Sequence, residues 1–176
     1  MRKVIVLLSV TLAACQSGTN VRVGDGTKYV NNSGGMKWVA LPDSSRVRIA
    51  DGTTIVVGPA YSKGSRSVDL DGEGMFEVRV IGGDRFVVTT RNLFIQGTGT
   101  KFLVDAPHSR PGEEVDLLDG LLVVRKMYHS DLDSAQEILR SGDMLMINRE
   151  IDLMEKEKMS PQEVQKAEAK FGKAGL

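Results

Sequence analysis

The chain has 176 residues with 23 basic and 23 acidic side chains, a balance that gives no support to nucleic-acid binding, which needs a basic field. A single cysteine excludes an internal disulfide framework, so stability must come from burial. Nineteen glycines and few aromatic residues fit one domain with many tight turns and exclude both a long-helix protein and a disordered one.

In chain order, the first segment is a targeting signal. Arg2 and Lys3 precede the apolar run Val4 to Leu12, and Leu12-Ala13-Ala14-Cys15 closes it. A cationic start, a short apolar stretch and small residues before a cut site are the parts of a secretory signal peptide. As a helix the apolar run spans only about 14 Å, against roughly 30 Å of bilayer hydrocarbon, so it does not stop in the membrane. Its end resembles the bacterial lipobox, which implies cleavage before Cys15 and a diacylglyceryl group on the Cys15 sulfur. Gln16 after the cysteine implies delivery to the outer membrane, on its periplasmic face or at the cell surface. Cleavage of residues 1–14 removes Arg2 and Lys3 and leaves 21 basic against 23 acidic residues.

Residues 15–36 are rich in Gly, Ser, Thr and Asn and read as a flexible tether around a short Val21 to Val23 piece. A β domain is expected over 37–150. Trp38 to Leu41 and Arg46 to Ile49 are short strands, then Asp51-Gly52 reads as a hairpin turn before Thr54 to Val57. The rhythm continues through Ser67 to Leu70, a turn at Asp71-Gly72, Met75 to Val80, Phe86 to Thr90, Leu93 to Ile95, Phe102 to Val104, Val115 to Leu118, Asp119-Gly120 and Leu121 to Val124. Strands this close, with no helices between them, predict a mainly β protein: an antiparallel sandwich or barrel built of hairpins. Residues 134–140 fit a capped helix, through Ser134 and Glu137, or a strand edge, through Ile138 and Leu139. Met144 to Ile147 reads as the last strand. In the tail, 151–176, Ser160 is an N-cap, Pro161 the first helical residue, Glu163 closes a capping box and Gly172 stops the helix. Val164, Ala167 and Phe171 share one face, so this helix is expected to dock on the sheet.

Arg66-Ser67-Val68-Asp69-Leu70-Asp71-Gly72-Glu73-Gly74-Met75-Phe76-Glu77-Val78 resembles the Arg-x-Val-x-Leu-x-Gly-Glu-Ala-x-Phe-x-Val string of the FecR domain of periplasmic sigma-factor regulators. Trp38 with Leu41-Pro42-Asp43-Ser44-Ser45-Arg46-Val47, then Phe86-Val87-Val88, Gly99 to Val104, Leu117 to Val123 and Leu139 to Asp143 resemble its other pieces in order. The resemblance covers about residues 38 to 148. It implies a FecR-like β domain that is not enzymatic and acts through protein partners. Arg85 replaces the usual proline before Phe86, and Gly74 the usual alanine, both read as tolerable on a surface turn. The family's cytoplasmic sigma-binding segment and membrane helix have no counterpart before the matched region, which implies a role without direct contact to a sigma factor.

No residue arrangement points to catalysis, a cofactor or a metal. His108 and His129 lack the paired spacing a metal site needs. Gly97 to Lys101 lacks the Walker spacing and reads as a turn or bulge, and no serine sits in a Gly-x-Ser-x-Gly elbow. Glu113 and Glu114, beside Pro111-Gly112, read as a solvated loop. Met144, Met146, Met154 and Met159 could form an adaptable surface, though gap-filling is the commoner use. The sequence therefore predicts a lipid-anchored envelope protein, with Cys15 as its one site residue and an unidentified envelope protein as partner. The alternative is a glycan-binding module using Trp38 and Tyr61 as aromatic platforms.

Overall fold

The structure, a computed structural model, describes residues 20–23, 26–61, 64–130 and 136–172. The chain lays down pairs of strands that alternate between two sheets. Sheet A receives β1 (Asn20–Val23) and β2 (Gly26–Val30), and sheet B receives β3 (Lys37–Ala40) and β4 (Arg46–Ile49). β5 (Thr54–Val57) returns to sheet A and pairs with β6 (Arg66–Glu77), the longest strand. β7 (Phe86–Thr89) and β8 (Leu93–Gly97) follow in sheet A, and β9 (Lys101–Ala106) and β10 (Gly112–Asp119) in sheet B. β11 (Leu121–Lys126) and β12 (Gln136–Arg140) complete sheet A, while β13 (Asp143–Asn148) and β14 (Leu153–Lys158) complete sheet B. Helix α1 (Pro161–Phe171) ends the chain's described part.

β6 belongs to both sheets. Its first half pairs with β5 and, in parallel, with β7, whereas its second half pairs with β4 and β9. The expected turn at Asp71-Gly72 is therefore a bend inside one strand. Gly72 has φ 118° there, a conformation open to glycine, and a Cβ would lie 2.9 Å from the Thr53 backbone. Asp51-Gly52 and Asp119-Gly120 are corrected in the same sense, because β4 and β5, like β10 and β11, enter different sheets. Each Asp-Gly pair marks a corner between sheets. The β6–β7 pairing is the one parallel exception among the described strand pairs to the predicted antiparallel plan.

The two sheets pack face to face as a barrel-like sandwich. Val68, Leu70 and Phe76 of β6, and Val78 just beyond its end, alternate inward as the spacing predicts. Phe76 stacks on Phe102 with ring centroids 5.0 Å apart and meets Phe86 at 6.0 Å. Gly74 lies on this inner face, where a Cβ would come within 3.0 Å of the Phe76 ring, so it makes room for that ring and is no surface turn. Where β12 meets β13 and β14 the sheets are tied by polar links: Lys156 to Glu137 at 2.6 Å, and the Arg140 N–H to Asp143 Oδ2 at 2.8 Å.

Three boundaries shift. Residues 26–30, expected in the tether, form β2 and pair with β5, and 20–23 pair with β2, so the fold begins well before residue 37. β13 is not the last strand, because β14 follows it inside the expected helical tail. Residues 136–140 take the strand alternative as β12; Ser134 lies outside the described residues. The tail helix has the expected form: Ser160 caps it, Glu163 closes the capping box, Pro161 opens it, and Gly172 ends it with φ 67°. It docks on the outer face of sheet B, where Ala167 and Phe171 pack with Met75, Leu103 and Leu118. Arg48 donates to the Lys170 carbonyl at 2.6 Å, Lys170 pairs with Glu73 at 2.5 Å, and the Lys101 ammonium lies 4.4 Å from the Phe171 ring centre. No helix among the described residues is long and apolar enough to cross a membrane.

Three variants test this packing by denaturant or thermal unfolding. Phe76→Ala, which empties space between two rings, is expected to cost about 3 to 5 kcal/mol; a loss under about 1 kcal/mol would mean the ring is not in the core. Ser160→Ala is expected to cost about 1 kcal/mol through the lost cap, and deleting residues 159–176 should lower the melting temperature by uncovering Met75 and Leu103.

Candidate interaction surface

The family-like motif residues converge on one buried ion pair. Arg66, at the start of β6, donates through Nε to Asp43 Oδ2 at 2.8 Å, and its other nitrogens reach the Asp84 carbonyl at 2.9 Å and the Arg79 carbonyl at 2.8 Å. Both side chains are almost fully buried. Ser45 joins them, its hydroxyl accepting from Arg66 at 3.3 Å and from the Arg79 N–H at 3.1 Å. The guanidinium also lies 5.7 Å from the Phe86 ring centre. Burial alone would raise the Asp43 carboxyl, but the Ser45 N–H, Arg66 and Tyr61 outweigh it and hold it below the usual range. Tyr61 is 7% exposed, and burial followed by the Asp43 charge pushes its hydroxyl above its ordinary value. Arg66 thus grips both ends of the segment 79–84, through which the chain returns from sheet B to start β7 beside β6.

That segment forms the rim of a groove on the outer face of sheet A. One part, about 640 Å³, lies between Ile81, Arg85, Val87 and Gln96; a second, about 510 Å³, continues from Arg85 and Gln96 over Leu121 and Val123 to Arg125 and Gln136. Strand register sets Val87, Gln96, Val123 and Ile138 in one outward row. Leu121 and Ile138 are each 45% exposed. Arg125 lies over the Phe94 ring, 4.3 Å from its centre, and neither it nor Arg85 has an ion-pair partner among the described residues.

The other sequence candidates fall elsewhere. Tyr61 is buried and cannot be a glycan platform, while Trp38, 37% exposed, carries Arg46 and Arg48 at 5.0 and 6.0 Å from its ring. Glu113 is not in a solvated loop: it is buried in β10, accepts from Asn92 at 2.7 Å and from Thr90, and burial raises its carboxyl against those hydrogen bonds. Met159 is buried, and Met154 packs against the core. Met144 and Met146, half-buried, line a cavity of about 320 Å³ under α1 with Glu114, Asp116 and Glu163. His108 is exposed and rests 3.1 Å from Asp71, and His129 is exposed. Gly97 to Lys101 turns from β8 in sheet A to β9 in sheet B. Among the described residues no group of three or more His, Cys, Asp or Glu side chains could hold a metal ion. Cys15 lies outside the described residues. Sequence reasoning missed Arg85 and Arg125 as surface features, because isolated arginines on outward strand positions carry no motif.

Comparison with known proteins gives a consistent placement. The family model described as "FecR protein" matches residues 17–122. Two crystal structures of candidate anti-sigma factors from Parabacteroides distasonis share the fold. One aligns with a TM-score of 0.70 at 24% identity over 80% of this chain, the other with 0.69 at 24% over 79%. The chain spans 63% of the length of each. No curated protein matches the sequence.

Two ionisable sites give testable outcomes. Arg66→Met should cost about 3 to 5 kcal/mol by leaving the Asp43 charge buried and unpaired, and Asp43→Asn added to it should restore much of the loss; a double variant as unstable as the single would sink this account. Asp116 is raised to about 6 by burial first, then by Glu114, Glu163 and Asp105, against Lys170. With its folded value above the ordinary 3.8, its stabilising contribution is full below about pH 4 and lost as pH rises through about 6. Asp116→Asn should therefore stabilise at pH 7.5 by about 1 to 2 kcal/mol, discounted for solvent screening, and have no effect at pH 4. Melting curves at both pH values check it.

Proposed function

Because the chain belongs to the FecR protein family, we propose that it is a non-enzymatic module of the bacterial envelope that recognises another protein in sensing, signalling or envelope assembly. In this reading a lipid on Cys15 holds it at the outer membrane. The observation that carries recognition is the outer face of sheet A, where Leu121 and Ile138 stand exposed beside arginines without ion-pair partners among the described residues. Two further facts support it: the family-like residues Arg66, Asp43 and Phe86 hold the scaffold together, and the solved neighbours are described as candidate anti-sigma factors. Such proteins act by binding other proteins, so the same role is the economical one here.

Anchoring and recognition are tested separately. Cys15→Ser replaces the sulfur that forms the thioether with a far less acidic hydroxyl, so the variant should leave the detergent phase on phase partitioning and lose lipid mass by mass spectrometry. Equal partitioning of wild type and variant would remove the anchor. Crosslinking in whole cells should join the wild type to a defined envelope protein that a Phe76→Asp variant, unfolded by a charge buried in the core, does not capture; identical recovery with both would remove the recognition role.

A further inference from the structure

We infer that the groove across the outer face of sheet A binds an extended acidic segment of a protein partner, with its carboxylates on Arg85 and Arg125 and its apolar side chains on Val87, Val123 and Leu121. This rests on the chain being an anchored recognition module. The half of the groove between β8 and β12 contains two guanidiniums and no carboxylate, its other polar members being the neutral Gln96, Thr98 and Gln136. In the neighbouring half Asp43 is neutralised by Arg66, and Asp84 is the remaining acid. An incoming carboxylate therefore meets two guanidiniums, Arg85 and Arg125, that have no ion-pair partner among the described residues. Arg125 already rests over Phe94, 4.3 Å from the ring centre, so less of its freedom remains to be lost on binding.

The floor determines the shape of the ligand. From Val87 to Ile138 the outward row crosses three strand spacings, roughly 14 Å, which four or five extended residues span. Alternating side chains on such a segment would put apolar groups on Val123 and Leu121 and acids toward the arginines. The segment lies across the face and does not add to the edge of β12, because that edge is engaged: Lys156 reaches the Ile138 carbonyl at 3.4 Å, and Asp143 accepts from the Arg140 N–H.

A membrane surface is the less fitting source of anions. Asn20 pairs with Tyr29, which is level with Ile55 and Leu70, whereas Arg85 and Leu121 lie past the other end, beyond Arg66 and Leu122. The separation is about 13 to 17 Å along the strands. Asn20 thus lies toward the end of sheet A opposite Arg85 and Leu121.

The test uses the full mature chain in detergent and fluorescein-labelled Val-Glu-Val-Asp-Val-Glu-Val-Asp, read by fluorescence anisotropy, with a counterpart carrying Lys at every acidic position. The acidic peptide should bind saturably and more weakly as NaCl rises, and the basic one should not bind. Arg85→Glu with Arg125→Glu should weaken binding at least about tenfold without lowering the melting temperature, Arg85→Lys with Arg125→Lys should keep part of it, and Lys166→Glu on α1 should leave it unchanged. Equal binding of both peptides, no binding of the acidic one, or indifference to the double reversal would overturn the inference. So would Arg-dependent binding to phosphatidylglycerol vesicles without peptide binding, which would make the groove a lipid contact. In cells, a double variant that still captures the wild-type partner overturns the groove and leaves the recognition role standing; a wild type with no partner overturns the role itself.

Discussion

A strand that serves two sheets has to turn its line of hydrogen bonds without breaking it, and in this protein that demand falls on Gly72. At φ 118° the backbone takes a course that side chains oppose, and Thr53 occupies the space a Cβ would need. The Thr53 hydroxyl then replaces the missing ladder contacts, accepting from the Glu73 N–H at 3.0 Å and donating to its carbonyl at 3.2 Å, while the Ala50 N–H meets the same carbonyl at 3.0 Å. With the bend satisfied, both halves of β6 face one core. Val68 and Leu70 from sheet A then share a cluster with Phe76 and Phe102 from sheet B. Every later strand pair inherits its place from that geometry.

The bend creates a second demand. β6 ends in sheet B, yet β7 must start beside its beginning in sheet A, which forces a parallel return. Loose, such a return would leave backbone polar groups without partners near the core. Arg66 meets the need because a guanidinium presents several donors in one plane, enough for a carboxylate and two carbonyls at once. A lysine could not reach all three. The ion pair with Asp43 is a poor source of net stability, since burying both charges costs about what their attraction returns. Its value is positional: it sets where residues 79 to 85 run, and with them the rim carrying Ile81 and Arg85.

These demands explain which parts of the fold were legible in the sequence. The helix was, because Ser160, Pro161, Glu163 and Gly172 act locally and each says the same thing. The inward alternation of Val68, Leu70, Phe76 and Val78 was also plain. Asp51-Gly52, Asp71-Gly72 and Asp119-Gly120 were readable as places where the chain turns, but not as hairpin or corner, because glycine reports a backbone angle and not which strand lies alongside. β2 and β14 were hidden for a different reason. Gly26–Val30 and Leu153–Lys158 lie near or at sheet edges with little inward apolar content, so they look like linker and tail. Glu113 was misread because its partners, Thr90 and Asn92, are more than twenty residues away.

The surface follows a separate logic, and the two outer faces of the sandwich show it. Sheet B hides Met75 and Leu103 under α1, whose apolar stripe is as narrow as the strip it covers. Sheet A keeps Val87, Val123, Leu121 and Ile138 on a face with no helix over it among the described residues. Apart from Trp38, the motif positions that resemble the family are mostly buried or at corners, where the fold leaves little choice. Outward positions are free to vary. Arg85 is the telling case: it stands where the family string has proline, beside the buried Phe86, and the substitution puts a guanidinium on the rim that Arg66 fixes. A proline there would close off a backbone donor and offer no charge, so the scaffold would survive the exchange while the chemistry of the groove would not. Fold and recognition thus rest on adjacent residues under different constraints, the inward-facing one set by packing and the outward-facing one by what must dock.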